Sequence, residues 1–201
     1  SVSEGGGGAV RSNISGSPTF VNCLFAGNSA TTFGGAIRNS NGGTTKLTNC
    51  TFGDNLAPNG TAFAATPDDR DSQSPCVLQG VNCILWDGGD EIYNDDGSAI
   101  NVTFSNVRHA EAQGLFPGEG NIDADPHFAD PDGGDYFLKS EAGRWDMGTQ
   151  SWILDETTSP CIDAGDATMD PGPEPAPNGG LINMGAFGGT NLASKSLLGS
   201  P

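Results

Sequence analysis

Apolar residues in the first half of the chain fall in short runs with a two-residue step, separated by clusters of Gly, Asn, Ser and Asp. Thr19 to Phe25, Thr44 to Phe52 and Ala99 to Val107 are the clearest runs. No long stretch with apolar positions every three or four residues interrupts them, so residues 1–110 are expected to form short β-strands joined by turns, without helices. The runs also repeat. Asn22-Cys23-Leu24-Phe25-Ala26-Gly27-Asn28 returns 27 residues later as Asn49-Cys50-Thr51-Phe52-Gly53-Asp54-Asn55, and Gly7-Gly8-Ala9-Val10-Arg11 returns at the same step as Gly34-Gly35-Ala36-Ile37-Arg38. Two phrases in register at this period describe one unit stacked on itself. A third copy begins at Val81-Asn82-Cys83-Ile84-Leu85-Trp86, 33 residues after Asn49, with a loop between Pro58 and Pro75 taking up the difference; Ile100 to Val107 makes a fourth without the Cys. The predicted fold is all-β: a parallel β-helix of two or three strands per coil, each strand pairing with its equivalent at roughly 4.8 Å.

The phrase changes side-chain parity in its middle. Phe20 and Leu47 lie three residues before the Cys, whereas Cys23 with Phe25, and Cys50 with Phe52, are spaced by two. A straight strand cannot bury both sets. A bend at Asn22, Asn49 and Asn82 reconciles them, because Asn tolerates the left-handed conformation that a corner needs, and the stacked amides are expected to bond from coil to coil. Phe25 and Phe52 should stack inside. Cys23, Cys50 and Cys83 should form an inward column at a spacing compatible with a disulfide, with at least one thiol left free because three cannot all pair. Cys76 and Cys161 stand outside the phrase; a bridge between them would tie the insertion to the C-terminal part.

Candidate chemistry is sparse. Arg11 and Arg38 repeat in register and read as a solvated pair on an outer strand face. His109 and His127 are the only histidines and read as surface or packing residues, while the acidic turns at Asp87 to Glu91 and Asn94 to Asp96 carry no specificity among so many carboxylates. The run Asp130-Pro131-Asp132-Gly133-Gly134-Asp135, with Asp123 and Asp125 upstream, crowds oxygen ligands as a hard cation requires, so Ca²⁺ is the one cofactor suggested. Turn capping by the same aspartates is the competing explanation, and Asp163 and Asp166 are assigned to turns.

Phe25-Ala26-Gly27-Asn28-Ser29-Ala30 and Gly34-Gly35-Ala36-Ile37 resemble the repeats of polymorphic outer-membrane proteins and other secreted right-handed parallel β-helix proteins. Gly120 to Pro126, Asp135 to Ser140, Ser159 to Asp166 and Asn183 to Thr190 resemble the C-terminal module of large bacterial extracellular β-helix proteins. The resemblance implies a right-handed β-helix and a secreted or cell-surface setting. It leaves activity open, since such families include lyases, hydrolases and adhesins.

Composition narrows the partners. With 25 Asp plus Glu against 8 Lys plus Arg, the net charge of −17 argues against nucleic acid and anionic membrane surfaces, and no segment has the length of a transmembrane helix. The chain divides into regular coils over 1–110 and a less regular capping module over 111–201. Within the module lie a Pro-rich loop at 171–177, a last strand within Gly179 to Thr190 and a tail at 194–201, with Trp145 and Trp152 covering the end of the core. The expected role is a non-catalytic extracellular or cell-surface structural solenoid. Coil sequence already under way at Gly5 to Val10 suggests self-association along the axis into a head-to-tail filament, or upstream coils of a longer chain. The alternative is a carbohydrate-active module, lyase-like, hydrolase-like or glycan-binding, with its groove along a sheet face.

Overall fold

The computed structural model describes residues 2–3, 5–13, 15–67, 74–109 and 114–197. The coils form as the repeat requires. β1 (Val2–Ser3) pairs in parallel with β5 (Ser29–Ala30). The first coil carries β2 (Val10–Asn13), β3 (Thr19–Val21) and β4 (Leu24–Ala26). The second carries β6 (Ile37–Ser40), β7 (Thr44–Thr48) and β8 (Thr51–Gly53). β9 (Phe63–Ala65), β10 (Val77–Val81) and β11 (Ile84–Trp86) make the third. β12 (Ile92–Asn94), β13 (Ala99–Thr103) and β14 (Asn106–Val107) make the fourth. Equivalent strands stack in parallel into three four-stranded sheets, β2-β6-β9-β12, β3-β7-β10-β13 and β4-β8-β11-β14. The protein is thus a three-sided parallel β-helix.

Phe20, Leu47, Gly80 and Val102 share one row, so successive coils take 27, 33 and 22 residues. The insertion lies between β9 and β10, a narrower span than Pro58 to Pro75, because β9 already belongs to the third coil; residues 68–73 at its centre fall outside the described set. In the fourth coil Phe104 and Ser105 occupy the Asn and Cys positions, as the pairing of Ile84 with Asn106 shows. Ser105 substitutes for the thiol closely: its hydroxyl donates to Thr103 O at 2.8 Å and accepts from Cys83 N at 2.9 Å.

The interior is a set of rows. Phe25 and Phe52 stack face to face, with centroids 4.7 Å apart and planes 11° apart, and Leu85 and Val107 continue the row. Ile37 and Phe63, neighbours on the first sheet, are wholly buried. Cys50 and Cys83 are buried and Cys23 half-buried, each donating to the carbonyl two residues back. Burial pushes the Cys83 thiol well above its ordinary range. The five cysteines are free thiols, so the Cys76 to Cys161 bridge is not formed. Cys76 packs inside the coils, whereas Cys161 belongs to a second core with Ile84, Phe128, Tyr136, Leu138 and Met184.

The corners do bend at Asn22, Asn49 and Asn82, whose φ values are 50°, 49° and 54°. Their amides, however, mostly do not bond from coil to coil. Among the described residues only Asn82 Nδ2 to Asn49 Oδ1 does so, at a long 3.5 Å. Instead they face outward and hold the C-terminal segment: Asn49 Nδ2 donates to Asn183 O at 2.9 Å, and Asn22 Nδ2 to Ala186 O and Gly188 O at 3.0 and 2.7 Å. Gly185 N donates to Asn82 O at 2.8 Å and Ala186 N to Thr51 Oγ1 at 2.9 Å. Residues 182–188 therefore run as a strap from the third coil back to the first. The coil-to-coil ladder lies five or six residues further on, where Asn28 N and Nδ2 donate to Asn55 Oδ1, and Asn55 N and Nδ2 donate to Asp87 Oδ1.

The C-terminal part differs from expectation in two places. No strand forms over Gly179 to Thr190, which is the strap and its approach. Ser194 and Ser196 are buried: Ser194 Oγ donates to Leu138 O at 2.6 Å and Ser196 N to Pro177 O at 3.0 Å, so 194–196 is docked rather than a tail, and 198–201 falls outside the described residues. Two antiparallel hairpins complete it, β15 (Phe128–Asp130) with β16 (Asp135–Leu138), and β17 (Arg144–Asp146) with β18 (Ser151–Ile153). Trp145 and Trp152 meet edge to face at 5.5 Å with Lys195 over Trp152, outside both core clusters.

Two expectations follow for stability. Phe52→Ala should cost about 3–5 kcal/mol by denaturant unfolding, since it empties a fully buried rung. Asn49→Ala should cost about 2–4 kcal/mol, combining left-handed strain with loss of the strap bonds, and Asn49→Gly about half as much, because glycine restores the backbone but not the bonds.

Candidate functional site

The five aspartates expected to gather a cation do not converge. Asp123 Oδ2 accepts from His109 N at 3.3 Å, Asp125 Oδ1 from His127 N at 2.8 Å and Asp130 Oδ1 from Gly133 N at 3.2 Å. Asp135 Oδ1 accepts from Phe137 N at 3.0 Å while its Oδ2 meets Arg144 Nη1 at 3.2 Å, and Asp132 is exposed on the turn. Backbone amides and one arginine satisfy oxygens that a metal would need. Among the described residues no three His, Cys, Asp or Glu side chains are grouped to hold an ion. The arginine pair is also unlike its expectation. Arg11 and Arg38 are in register, yet Arg38 is buried, donating from Nε to Thr66 Oγ1 at 2.8 Å and lying 5.2 Å from the Phe33 ring centroid.

What the fold does build is a cleft of about 360 Å³ between the third sheet and the first C-terminal hairpin. Its floor comes from the ends of β8 and β11, which bring Gly53, Asp54, Trp86 and Asp87 side by side. Its walls are Arg108, which follows β14, and Asp125, His127, Phe128, Pro131 and Tyr136 from the hairpin and its approach. Tyr136 lies across β8 because position 53 has no side chain: a Cβ there would stand 2.2 Å from the ring. The phenol donates from Oη to Asp54 Oδ2 at 2.5 Å, and burial, followed by that bond and the Asp54 charge, pushes its pKa above the ordinary tyrosine range. Phe128 packs edge-on against the same ring at 5.1 Å.

Across the floor, the Arg108 guanidinium sits 5.3 Å from the Trp86 ring centroid, a cation–π contact that fixes both side chains. Asp87 is set apart from the other acids. Its Oδ1 ends the coil-to-coil ladder by accepting from Asn55, while its Oδ2 has no partner. The loop behind it is held by Glu91, whose Oε1 accepts from the amides of Asp87, Gly88 and Gly89 at 2.8 to 2.9 Å. Burial first, and the Glu91 charge second, raise Asp87 to about 8, so it retains its proton at neutral pH. His127 stands at the rim with φ 50° and its Nδ1 3.6 Å from Asp125 Oδ1.

The site thus offers an indole face, a phenol, a guanidinium, an exposed carboxylate and a protonated one in a single trough. The sequence sets Asp87 aside with the acidic turn at 87–91 and gives no role to Asp54, Trp86, Arg108 or Tyr136. The usable signal was that the in-register trio Ala26, Gly53 and Trp86 breaks the repeat with a large aromatic.

Fold and cleft together define an acidic parallel β-helix protein with a lateral polar and aromatic site. Residues 45–165, more than half of the chain and inclusive of every cleft residue, match the model of the family described as disaggregatase related. The chain belongs to that family. It is this family, rather than that of the polymorphic outer-membrane proteins, that the comparison finds; the β-helix is what the two readings share. No curated protein and no solved structure matches the chain.

The pKa of Asp87 gives a pH signature. The ordinary aspartate value is 3.8, so between about pH 4 and 8 the native state holds a proton that the unfolded chain has lost, and stability falls as pH rises through that window. In Asp87→Asn the Oδ1 acceptor is retained and the titration removed. Its denaturation midpoint should fall less than that of the wild type between pH 4 and 8, as measured by paired denaturant melts.

Proposed function

We propose that the chain is an extracellular carbohydrate-directed module whose lateral cleft binds a glycan, with the β-helix as its scaffold. The carrying observation is the trough itself: Trp86, oriented by Arg108, offers a flat apolar face, while Asp54, Tyr136 and His127 surround it with hydroxyl-binding groups. Sugars require this pairing of a ring face with convergent polar groups. The strongly acidic, repeat-built chain is in keeping with a secreted or surface setting. Head-to-tail filament formation forms no part of the proposal.

Hydrolysis of the bound glycan is a second reading, with the exposed Asp54 as carboxylate and Asp87, raised by burial, as acid; it requires the buried Oδ2 of Asp87 to open to the cleft. A glycosidase needs one carboxylic acid to protonate the leaving oxygen and one carboxylate to act on the sugar or on water.

Binding to a panel of neutral and acidic polysaccharides, followed by calorimetry on the best, tests the first reading. Trp86→Ala should weaken affinity about tenfold or more without unfolding the protein. Absence of binding across the panel, or affinity indifferent to Trp86→Ala, rejects it. Reducing-end release, abolished in Asp87→Asn while binding persists, would separate catalysis from recognition.

A further inference from the structure

A column of three thiols runs up one corner of the β-helix and takes no part in the cleft. Cys23, Cys50 and Cys83 each follow a left-handed asparagine and each precede a strand of the third sheet, whose first residues Leu24, Thr51 and Ile84 are paired in register. Thr51 N donates to Cys23 O at 3.0 Å and Ile84 N to Cys50 O at 2.9 Å, so the register extends to the cysteines themselves. Neighbouring cysteines are therefore one strand spacing apart, about 4.8 Å between backbones, inside the range that a disulfide spans.

The column is graded from outside to inside. Cys23 is half-buried, whereas Cys50, Cys76, Cys83 and Cys161 are buried. Cys50 leans toward the first coil: its Sγ lies 3.5 Å from Phe20 O as well as 3.5 Å from Thr48 O. Cys83 Sγ instead meets Val81 O of its own coil at 3.3 Å. The Cys23 and Cys83 thiols flank Cys50 within hydrogen-bonding reach, and the bond with Cys83 is the main influence that draws the Cys50 thiol below its ordinary range, against burial. Burial pushes Cys23 and Cys83 the other way and takes Cys161 to about 12. An accessible thiol thus stands beside a more acidic one, with an inert donor behind both.

We propose that Cys23 and Cys50 are a site of oxidative modification, joined into an intramolecular disulfide by exchange with a small disulfide such as oxidised glutathione, while Cys83 stays a thiol. Cys23 loses its proton and attacks one sulfur of the small disulfide, whose S–S bond breaks as one small thiolate leaves. Cys50, as thiolate, then attacks Cys23 Sγ and expels the second. The two cysteines give up two protons and two electrons, and the small disulfide is reduced to two thiols. The bridge closes the 27-residue step between Cys23 and Cys50 and ties together the corners of Asn22 and Asn49, both of which hold the strap. It does not depend on glycan recognition.

The test uses the whole chain, freed of reductant and incubated with oxidised glutathione at about pH 8. The folded protein should lose two of its five thiols and two hydrogens in mass without forming dimers, and a peptide map should place the bridge between Cys23 and Cys50. The Tm should rise by about 5–10 °C and return when dithiothreitol restores the thiols. Cys23→Ser should block the reaction and Cys50→Ser should stop it at one glutathione on Cys23. Cys83→Ser should leave the bridge in place, with serine serving as it does at Ser105 in the fourth coil. Mass and map need only the wild type. The proposal is overturned if the folded wild type retains five thiols, if it stops at the glutathione adduct, or if the bridge includes Cys76, Cys83 or Cys161.

Discussion

A left-handed asparagine at the corner of each of the first three coils is the constraint on which most of this structure rests. With φ near 50° at Asn22, Asn49 and Asn82, the chain changes direction without a full turn, and the parity of side chains on either side of the corner is reset so that Phe20 and Phe25, or Leu47 and Phe52, can share one interior. The same geometry turns the amide outward. Asparagine thus serves twice, as the residue that tolerates the bend and as the clamp that grips the strap. The fourth coil shows the cost of doing without it: Phe104 adopts φ 46° with a bulky side chain and no amide to offer. There the neighbouring segment is held by other means, with Asn121 Nδ2 donating to Val102 O and its Oδ1 accepting from Ser105 N.

The cleft depends on that arrangement. Once the corners have fixed β8 and β11 in register, the residues just beyond each strand end up stacked, and their differences from coil to coil become a surface with chemistry on it. Gly53 makes room, Asp54 receives the tyrosine, Trp86 supplies a ring, and Asp87 terminates the ladder of Asn28 and Asn55. The hairpin of β15 and β16 then closes one side through Tyr136, which belongs to the second core together with Ile84 of β11 and Met184 of the strap. Any loosening of the strap would therefore be felt at the phenol. Arg144 gives the module independent rigidity, buried and paired with Asp135 and Asp155 at 3.2 Å each, although a buried ion pair of this kind does more for geometry than for net stability.

The fold was legible because packing repeats. Stacked Phe25 and Phe52, the cysteine column and the asparagine bends recur at identical positions, and a search for periodicity selects such residues. The fourth coil was only faintly visible, since Phe104 and Ser105 replace the diagnostic pair and the coil shortens to 22 residues. The site was hidden for the complementary reason. Trp86 and Arg108 put large side chains in a row that carries Ala26 and Gly53 in the first two coils, Tyr136 comes from outside the coils, and the site assembles only when segments from β8 to β16 converge. At the aspartate-rich turn of 130–135 the limit is physically plain: local crowding of carboxylates does not reveal whether backbone amides have already claimed the oxygens. The docking of 194–196 was likewise invisible, because the serines involved are buried through hydrogen bonds to Leu138 and Pro177 rather than through apolar character.

A solenoid normally has no long-range bookkeeping: each coil knows only its neighbours, and either end can fray while the middle stands. The strap alters that. It joins residues 186 and 188 to Asn22, across 164 and 166 positions of sequence, and so returns the end of the described chain to its first coil. A row of independent rungs becomes a closed circuit in which opening either end strains the other. During synthesis the coil of Asn22 gains this contact only after residues 186 and 188 have emerged. In the finished protein, unzipping from one end would give way to a single concerted transition.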